Sequence, residues 1–193
     1  FEMEDDEAAI ENFRKALEQF PNFRDAHRNL AIALVQNEKF DDAKTHLIRA
    51  IELGSREGLT MGLLGYCHAV DENHQAALQA YRLAQLTMPE ERQWKLGEAQ
   101  ALQSLDQAEA ALTLYRDLLS TTPGEAPLWL NLANTNLQLG QSIDAVAEME
   151  VVRRMGSLPA PSLLSLGNLY LNQSLPEESA ECYRAALAMP EPP

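Results

Sequence analysis

The chain has 193 residues, 46 % apolar and 23 % charged, with nine glycines and ten prolines. That is too apolar for a disordered chain, and the long alternations of Ala, Leu, Glu and Gln point to helix. The net charge of −14 leaves no basic stripe to release counterions. This argues against a binder of the DNA or RNA backbone, disfavours anionic membrane surfaces, and favours basic over acidic partners. The longest nearly apolar run, Met61 to Val70, is far too short to insert in a bilayer. Cys67 and Cys182, 115 residues apart, give neither a disulfide framework nor a metal spacing.

Taken in chain order, helical periodicity predicts elements near 7–20, 24–37, 41–54, 58–71, 75–87, 92–105, 109–121, 126–139, 143–155, 160–173 and 177–188. They alternate in two kinds. In the second helix of each pair a small residue recurs every 34 residues: Ala9, Ala43, Ala77, Ala111, Ala145, Ser179. Four residues later stand Phe13, Leu47, Tyr81, Tyr115, Met149 and Tyr183, and three further on Ala16, Ala50, Ala84, Leu118, Val152 and Ala186. A spacing of four then three puts these side chains on one helical face. Pro21, Pro89 and Pro123 follow, and a proline cannot continue the helix before it. In the first helices Leu30-Ala31, Leu64-Gly65, Glu98-Ala99, Leu132-Ala133 and Leu166-Gly167 keep the same period.

The pattern resembles the tetratricopeptide repeat family over essentially the whole chain. The stretch from Trp129 to Ala145 matches best, through Trp129, Leu132, Ala133, Gly140 and Ala145. Two departures stand out: Glu98 replaces a large apolar residue, and only Gly140 supplies the usual glycine turn. The resemblance implies an all-α, right-handed α-solenoid of antiparallel helix pairs, each too thin to bury its apolar face without its neighbours. The expected organisation is a single array over 1–193. Residues 1–23 are a partial repeat, a second helix, and 24–57, 58–91, 92–125, 126–159 and 160–193 are full repeats. Extended backward, the register makes Phe1, Glu2 and Met3 the end of a first helix whose beginning is absent. At the other end, Met189-Pro190 stops the last helix with no polar cap following.

Chemistry-bearing motifs are scarce. There is no phosphate-cradling loop and no dinucleotide fingerprint, so no cofactor is implied. Gly58, Gly62 and Gly65 lie on a predicted helix, where small residues permit close approach. His27, His46, His68 and His74 show no zinc spacing, and His74 takes a slot usually filled by a packed aromatic. Cys67 and His68 are adjacent on a helix and so point about 100° apart, which suits no nucleophile–base pair. The acidic runs Glu4 to Glu7 and Glu177-Glu178 stand where second helices start and where carboxylates favour the helix dipole. The expectation is a protein that is not an enzyme.

In the family that this chain resembles, fixed positions of the first helices line a concave groove. Mapped here, they give Arg28, Asn29, Ile32 and Gln36; Leu63, Tyr66 and Val70; Gln93, Leu96, Gln100 and Gln103; Leu130, Asn131, Asn134 and Gln138; and Leu164, Ser165, Asn168 and Asn172. Gln100, Asn134 and Asn168 share one register, which predicts a ladder of amides, each both donor and acceptor. Asparagine at these positions also occurs in the family without a ligand, so a polar surface is the competing reading. Only Arg28 brings a positive charge, and the lysine–asparagine clamp that some members use for a carboxyl terminus is missing. The implied function is a scaffold or adaptor that binds an extended, mostly uncharged peptide. The alternatives are an assembly element that associates through its carboxyl-terminal end, around Tyr170, Leu171, Tyr183 and Leu187, or a regulatory arm of a larger protein. The regular, Ala- and Gln-rich array has a bacterial look, and the expected setting is soluble, cytoplasmic or periplasmic.

Overall fold

A computed structural model describes residues 2–189, with side chains from residue 7 onward. Eleven helices and no strand occur among the described residues: α1 (Glu2–Gln19), α2 (Arg24–Gln36), α3 (Phe40–Glu52), α4 (Gly58–Val70), α5 (His74–Thr87), α6 (Arg92–Ser104), α7 (Ala108–Thr121), α8 (Ala126–Gln138), α9 (Ser142–Arg154), α10 (Ala160–Asn172) and α11 (Pro176–Leu187). The fold is the expected all-α solenoid class, and its boundaries lie within a residue or two of the predicted ones. The exception is α1. It runs unbroken from Glu2, so Glu2 and Met3 belong to it and not to the end of a separate helix. Phe1 and Pro190 lie outside the described residues.

The chain divides into two compact units, residues 1–105 and 106–193. In the first, each of α1 to α6 packs on the next, and the first helices also pack on one another, α2 on α4 and α4 on α6. Its core gathers Ile10, Leu30, Ala31, Leu34, Ala43, Leu47 and Cys67. In the second unit α7 to α11 pack in sequence around Ala133, Ala145, Met149, Val152, Leu163, Leu166 and Cys182. Ala43, Ala77, Ala111 and Ala145 are all fully buried, as a small residue at a helix–helix seam requires. Gly58, Gly62 and Gly65 serve the same end. A Cβ at Gly58 would stand 2.7 Å from the Ala84 carbonyl oxygen, and one at Gly65 2.8 Å from the Tyr81 ring. Glu98 keeps its apolar slot by pairing. Arg82 Nε lies 2.8 Å from one carboxylate oxygen, and Gln85 Nε2 donates to the other at 2.7 Å.

The turns follow the repeat more strictly than the residues do. Glu38, Glu72, Asp106, Gly140 and Ser174, spaced 34 apart, all have φ between 57° and 72°. At Glu38 the backbone N–H donates to Val35 O at 3.0 Å and the next N–H, of Lys39, to Leu34 O at 2.9 Å. The pairs at Glu72 and Asn73, Gly140 and Gln141, and Ser174 and Leu175 repeat this. Two orphan carbonyls at each helix end are thereby satisfied by a left-handed residue, the arrangement for which glycine is the usual choice. Second helices end in two ways. Pro21, Pro89 and Pro123 stop three of them, whereas Gly54 and Gly156, at φ 96° and 73°, close α3 and α9.

Left-handed backbone costs a non-glycine residue about 1–2 kcal/mol. Gly140→Ala should therefore lower the unfolding free energy by about 1–2 kcal/mol. Glu72→Gly should raise it by about 0.5–1 kcal/mol, because some of the relief is lost to glycine's unfolded-state entropy. Urea denaturation of the two variants beside the parent checks both signs.

Candidate functional site

Leu63 and Tyr66 on α4 meet Leu96 and Gln100 on α6 around one concave pocket of about 320 Å³. Val35, Tyr81, Gln93, Trp94 and Gly97 complete its lining, and every lining side chain is uncharged. Tyr66 is 43 % exposed, and its ring meets Phe40 edge-on with centroids 5.6 Å apart. On α6 a glycine stands where α2 and α4 carry Asn29 and Leu63, and the Tyr81 ring fills the space that a Cβ at Gly97 would need. Trp94 stacks on Tyr81 at 6.3 Å and is 4 % exposed, and its indole N–H has no acceptor.

Arg28 and Asn29 on α2 are half-buried and engaged with each other and with Glu57. Arg28 NH1 lies 2.5 Å from Glu57 Oε1, and Arg28 Nε donates to Asn29 Oδ1 at 3.2 Å. The one positive charge expected on the wall is therefore neutralised within the chain. In residues 106–193, Asn134 on α8 and Leu164 and Asn168 on α10 are exposed, and Leu130 and Asn131 are half-buried. Asn168 Oδ1 accepts a 2.6 Å hydrogen bond from the Tyr183 hydroxyl, so its NH₂ group is the part left to a ligand.

Sequence reasoning passed over Trp94, Gly97 and Tyr81. Tyr81 comes from a second helix and Trp94 from a position outside the assigned wall set. A glycine at a wall position with a tryptophan three residues before it was the available signal. Also unforeseen is a histidine pair, 19 residues apart on α2 and α3. His27 Nε2 faces the Pro21 carbonyl at 3.0 Å and so carries its proton, while the two Nδ1 atoms meet at 2.8 Å. With neutral rings, His46 Nδ1–H donates to the bare Nδ1 of His27. Among the described residues no group of three or more His, Cys, Asp or Glu is gathered to hold a metal.

Other candidates resolve locally. Cys67 and Cys182 are free and buried, and burial pushes the Cys67 thiol up to about 11, which keeps it a poor nucleophile. His74 is only half-buried at the start of α5, where a packed core position was expected. Glu148 is 8 % exposed and accepts from Asn136 Nδ2 at 2.8 Å through both oxygens. Burial raises its carboxyl above the ordinary range, and the Asn136 hydrogen bond opposes this. No helix among the described residues is long and apolar enough to cross a membrane.

The tetratricopeptide repeat models match residues 1–55, 29–91 and 160–191. Among solved structures, residues 41 to the end of MamA from Desulfovibrio magneticus RS-1 superpose with a TM-score of 0.77 at 13 % identity, covering 85 % of this chain and 93 % of that one. PilF of Pseudomonas aeruginosa gives 0.72 at 19 %, covering 94 % and 82 %. YrrB, described as a TPR protein with an unusual peptide-binding site, gives 0.76 at 18 %, covering 92 % of each chain. At these identities the likeness is one of fold. No curated protein sequence matches.

The titrations carry a sign. Burial is the largest cause that lowers both His46 and His68. The neighbouring His27 adds to it for His46 and Lys44 for His68, while Asp42 and Asp71 respectively oppose it. A folded-state value below the unfolded one gives stability that is present above the unfolded value and lost as pH falls. Unfolding free energy should thus decline on acidification from about pH 7 toward 5, through the ordinary imidazole value of about 6.5. Urea titrations across that range should show a flatter decline in the His46→Gln, His68→Gln double variant.

Proposed function

The chain belongs to the tetratricopeptide repeat family, and from that premise we propose that it is a scaffold or adaptor whose first-helix wall holds an extended, mostly uncharged peptide. In this proposal residues 1–23 form a partial repeat, and the five stretches of 34 that follow are full ones. The observation that carries it is the convergence of Leu63, Tyr66, Leu96 and Gln100 around one concave, uncharged pocket. An extended peptide needs partners for its backbone N–H and C=O groups: within residues 1–105 the Gln100 amide offers both, and within residues 106–193 Asn134 offers both and Asn168 its NH₂ group. The apolar Leu63, Leu96, Leu130 and Leu164 give alternate peptide side chains somewhere dry to lie. With Arg28 held by Glu57, the wall has no cation among its assigned residues to seize a terminal carboxylate. An internal segment suits it better. YrrB's peptide-binding description supports the same use of the fold.

The test starts from a displayed library of random peptides. Enriched sequences should be poor in charge, and their affinity should change little with salt, because the one charged residue assigned to the wall, Arg28, is already held by Glu57. Changing Asn134 and Asn168 together to Ala should weaken binding by about 0.5–1.5 kcal/mol for each hydrogen bond lost, with the melting temperature held. Undiminished binding in that double variant would place the peptide elsewhere, on the second helices or at an end.

A second reading, self-association through α10 and α11, has its own observation. Leu171 is 54 % and Leu187 85 % exposed, with Leu175 and Met189 exposed as well. The two tyrosines expected on that face are engaged within the unit. Tyr170 donates to Glu150 Oε1 at 2.8 Å, and Tyr183 to Asn168. The leucines alone would carry the contact. On this reading sedimentation velocity should show a concentration-dependent dimer that Leu171→Glu with Leu187→Glu abolishes. A parent that stays monomeric at high concentration removes it.

A further inference from the structure

His27 and His46 belong to none of the wall positions, and no other repeat has histidine at both of their registers. Three 34-residue periods after His27 stands Trp129, whose indole N–H donates to Pro123 O, six residues back, at 2.8 Å. His27 Nε2–H does the same to Pro21 O, also six residues back, at 3.0 Å. An indole therefore completes that turn contact as well as an imidazole does. What histidine adds is a second ring nitrogen. With Nε2 carrying the proton, His27 Nδ1 is a bare lone pair. It meets Nδ1 of His46 head-on at 2.8 Å, with the ring centroids 5.1 Å apart. At the register of His46 the other repeats have Asn12, Ala80, Leu114, Glu148 and Cys182.

Two converging imidazole nitrogens are the beginning of a metal site. A backbone carbonyl on the far N–H fixes the tautomer and direction of a ligating histidine, and Pro21 O holds His27 in that way. A tetrahedral ion at about 2.0–2.1 Å from each nitrogen needs them about 3.3 Å apart. The pair therefore has to open by about half an ångström and turn its lone pairs to one side. The room for this is a cavity of about 430 Å³ lined by both rings with Thr45, Ile48, Arg49 and Glu52. His27 is 8 % exposed and pinned by its carbonyl, whereas His46 is half-buried beside the cavity and is the ring that turns. The nearby charges are matched. Asp42, one turn before His46, pairs with Arg14 at 3.5 Å, and Glu52 pairs with Arg49 at 2.7 Å. The nitrogens, and not an excess of carboxylates, are what the site offers an ion.

We propose that His27 and His46 hold one divalent transition-metal ion, zinc, copper or nickel, through their Nδ1 atoms, with water from the cavity completing its shell. These ions suit imidazole, whereas magnesium and calcium take oxygen ligands. Binding replaces the hydrogen bond between the rings. The proton leaves His46 Nδ1 and one is taken up at its Nε2, so the ring stays neutral and changes tautomer. His27 already has the tautomer that the ion needs and keeps it. The ion ties α2 to α3, and because it binds the folded chain it raises stability.

The experiment uses the full chain without a histidine tag, its imidazoles labelled with nitrogen-15, and zinc chloride near neutral pH. Calorimetry should show saturable uptake of one ion per chain. The coupling pattern of His46 should invert from Nδ1–H to Nε2–H, while those of His27, His68 and His74 stay as they were. His27→Gln and His46→Gln should each weaken zinc binding at least about tenfold, and His68→Gln should leave it unchanged. Zinc should raise the melting temperature of the parent and not of those two variants, and magnesium should do neither. If either substitution itself lowers the melting temperature, the tautomer change in the parent decides. Absence of saturable uptake, or uptake with the His46 tautomer unchanged, overturns the proposal. So does zinc binding that survives His46→Gln, or magnesium binding as tightly as zinc.

Discussion

The distance between paired helices in each unit is set by what their facing residues lack, and the side chains around them are sized to that distance. At Gly65 and Gly167 an added Cβ would stand 2.8 Å and 2.6 Å from the rings of Tyr81 and Tyr183. Where alanine takes the glycine's register, at Ala31 and Ala133, the same core clusters supply the smaller Leu47 and Met149. In these four pairs the volume is shared out between the two helices, large against none or medium against small, and close packing penalises both a void and an overfilled seam there. Gly97 follows the same rule: a Cβ there would stand 2.4 Å from the Tyr81 ring.

That dependence explains how much of the molecule was legible in its sequence. A 34-residue period that never slips fixes which residues share a face, so the helices and the buried alanines could be read directly. The start of α1 could not. The acidic run Glu4 to Glu7 resembles the opening of a second helix, yet a carboxylate cluster also sits comfortably inside a longer helix, and α1 begins at Glu2. The turn at Glu38 and its equivalents was legible as a position but not as a conformation. Nothing about glutamate or serine announces a positive φ, which the backbone hydrogen bonds impose.

The site was legible to a lesser degree and for a related reason. Register locates residues along one helix, and Leu63, Tyr66, Leu96 and Gln100, which it assigned to one surface, line one pocket. It does not tell which side chain from the helix behind shows through a gap, so Tyr81 and Trp94 were overlooked. Nor does it tell how charges pair. Arg28 looked free on the wall until Glu57, from the turn before α4, was seen to hold it. Glu98 looked like a packing fault until Arg82 and Gln85 on α5 were seen around it. The histidine pair belongs to the same class: two rings on successive helices whose meeting depends on side-chain direction as well as spacing.

The two tryptophans have a consequence of a different kind. One lies in each compact unit, and their surroundings differ: the Trp94 indole is enclosed, stacked on Tyr81, with an unbonded N–H, while Trp129 is half-buried and its N–H is hydrogen-bonded to a carbonyl. Indole emission responds to burial and to hydrogen bonding at that nitrogen. The chain therefore carries a natural optical label in each half, and the colour of its fluorescence distinguishes loosening of residues 1–105 from loosening of residues 106–193 without any dye being attached.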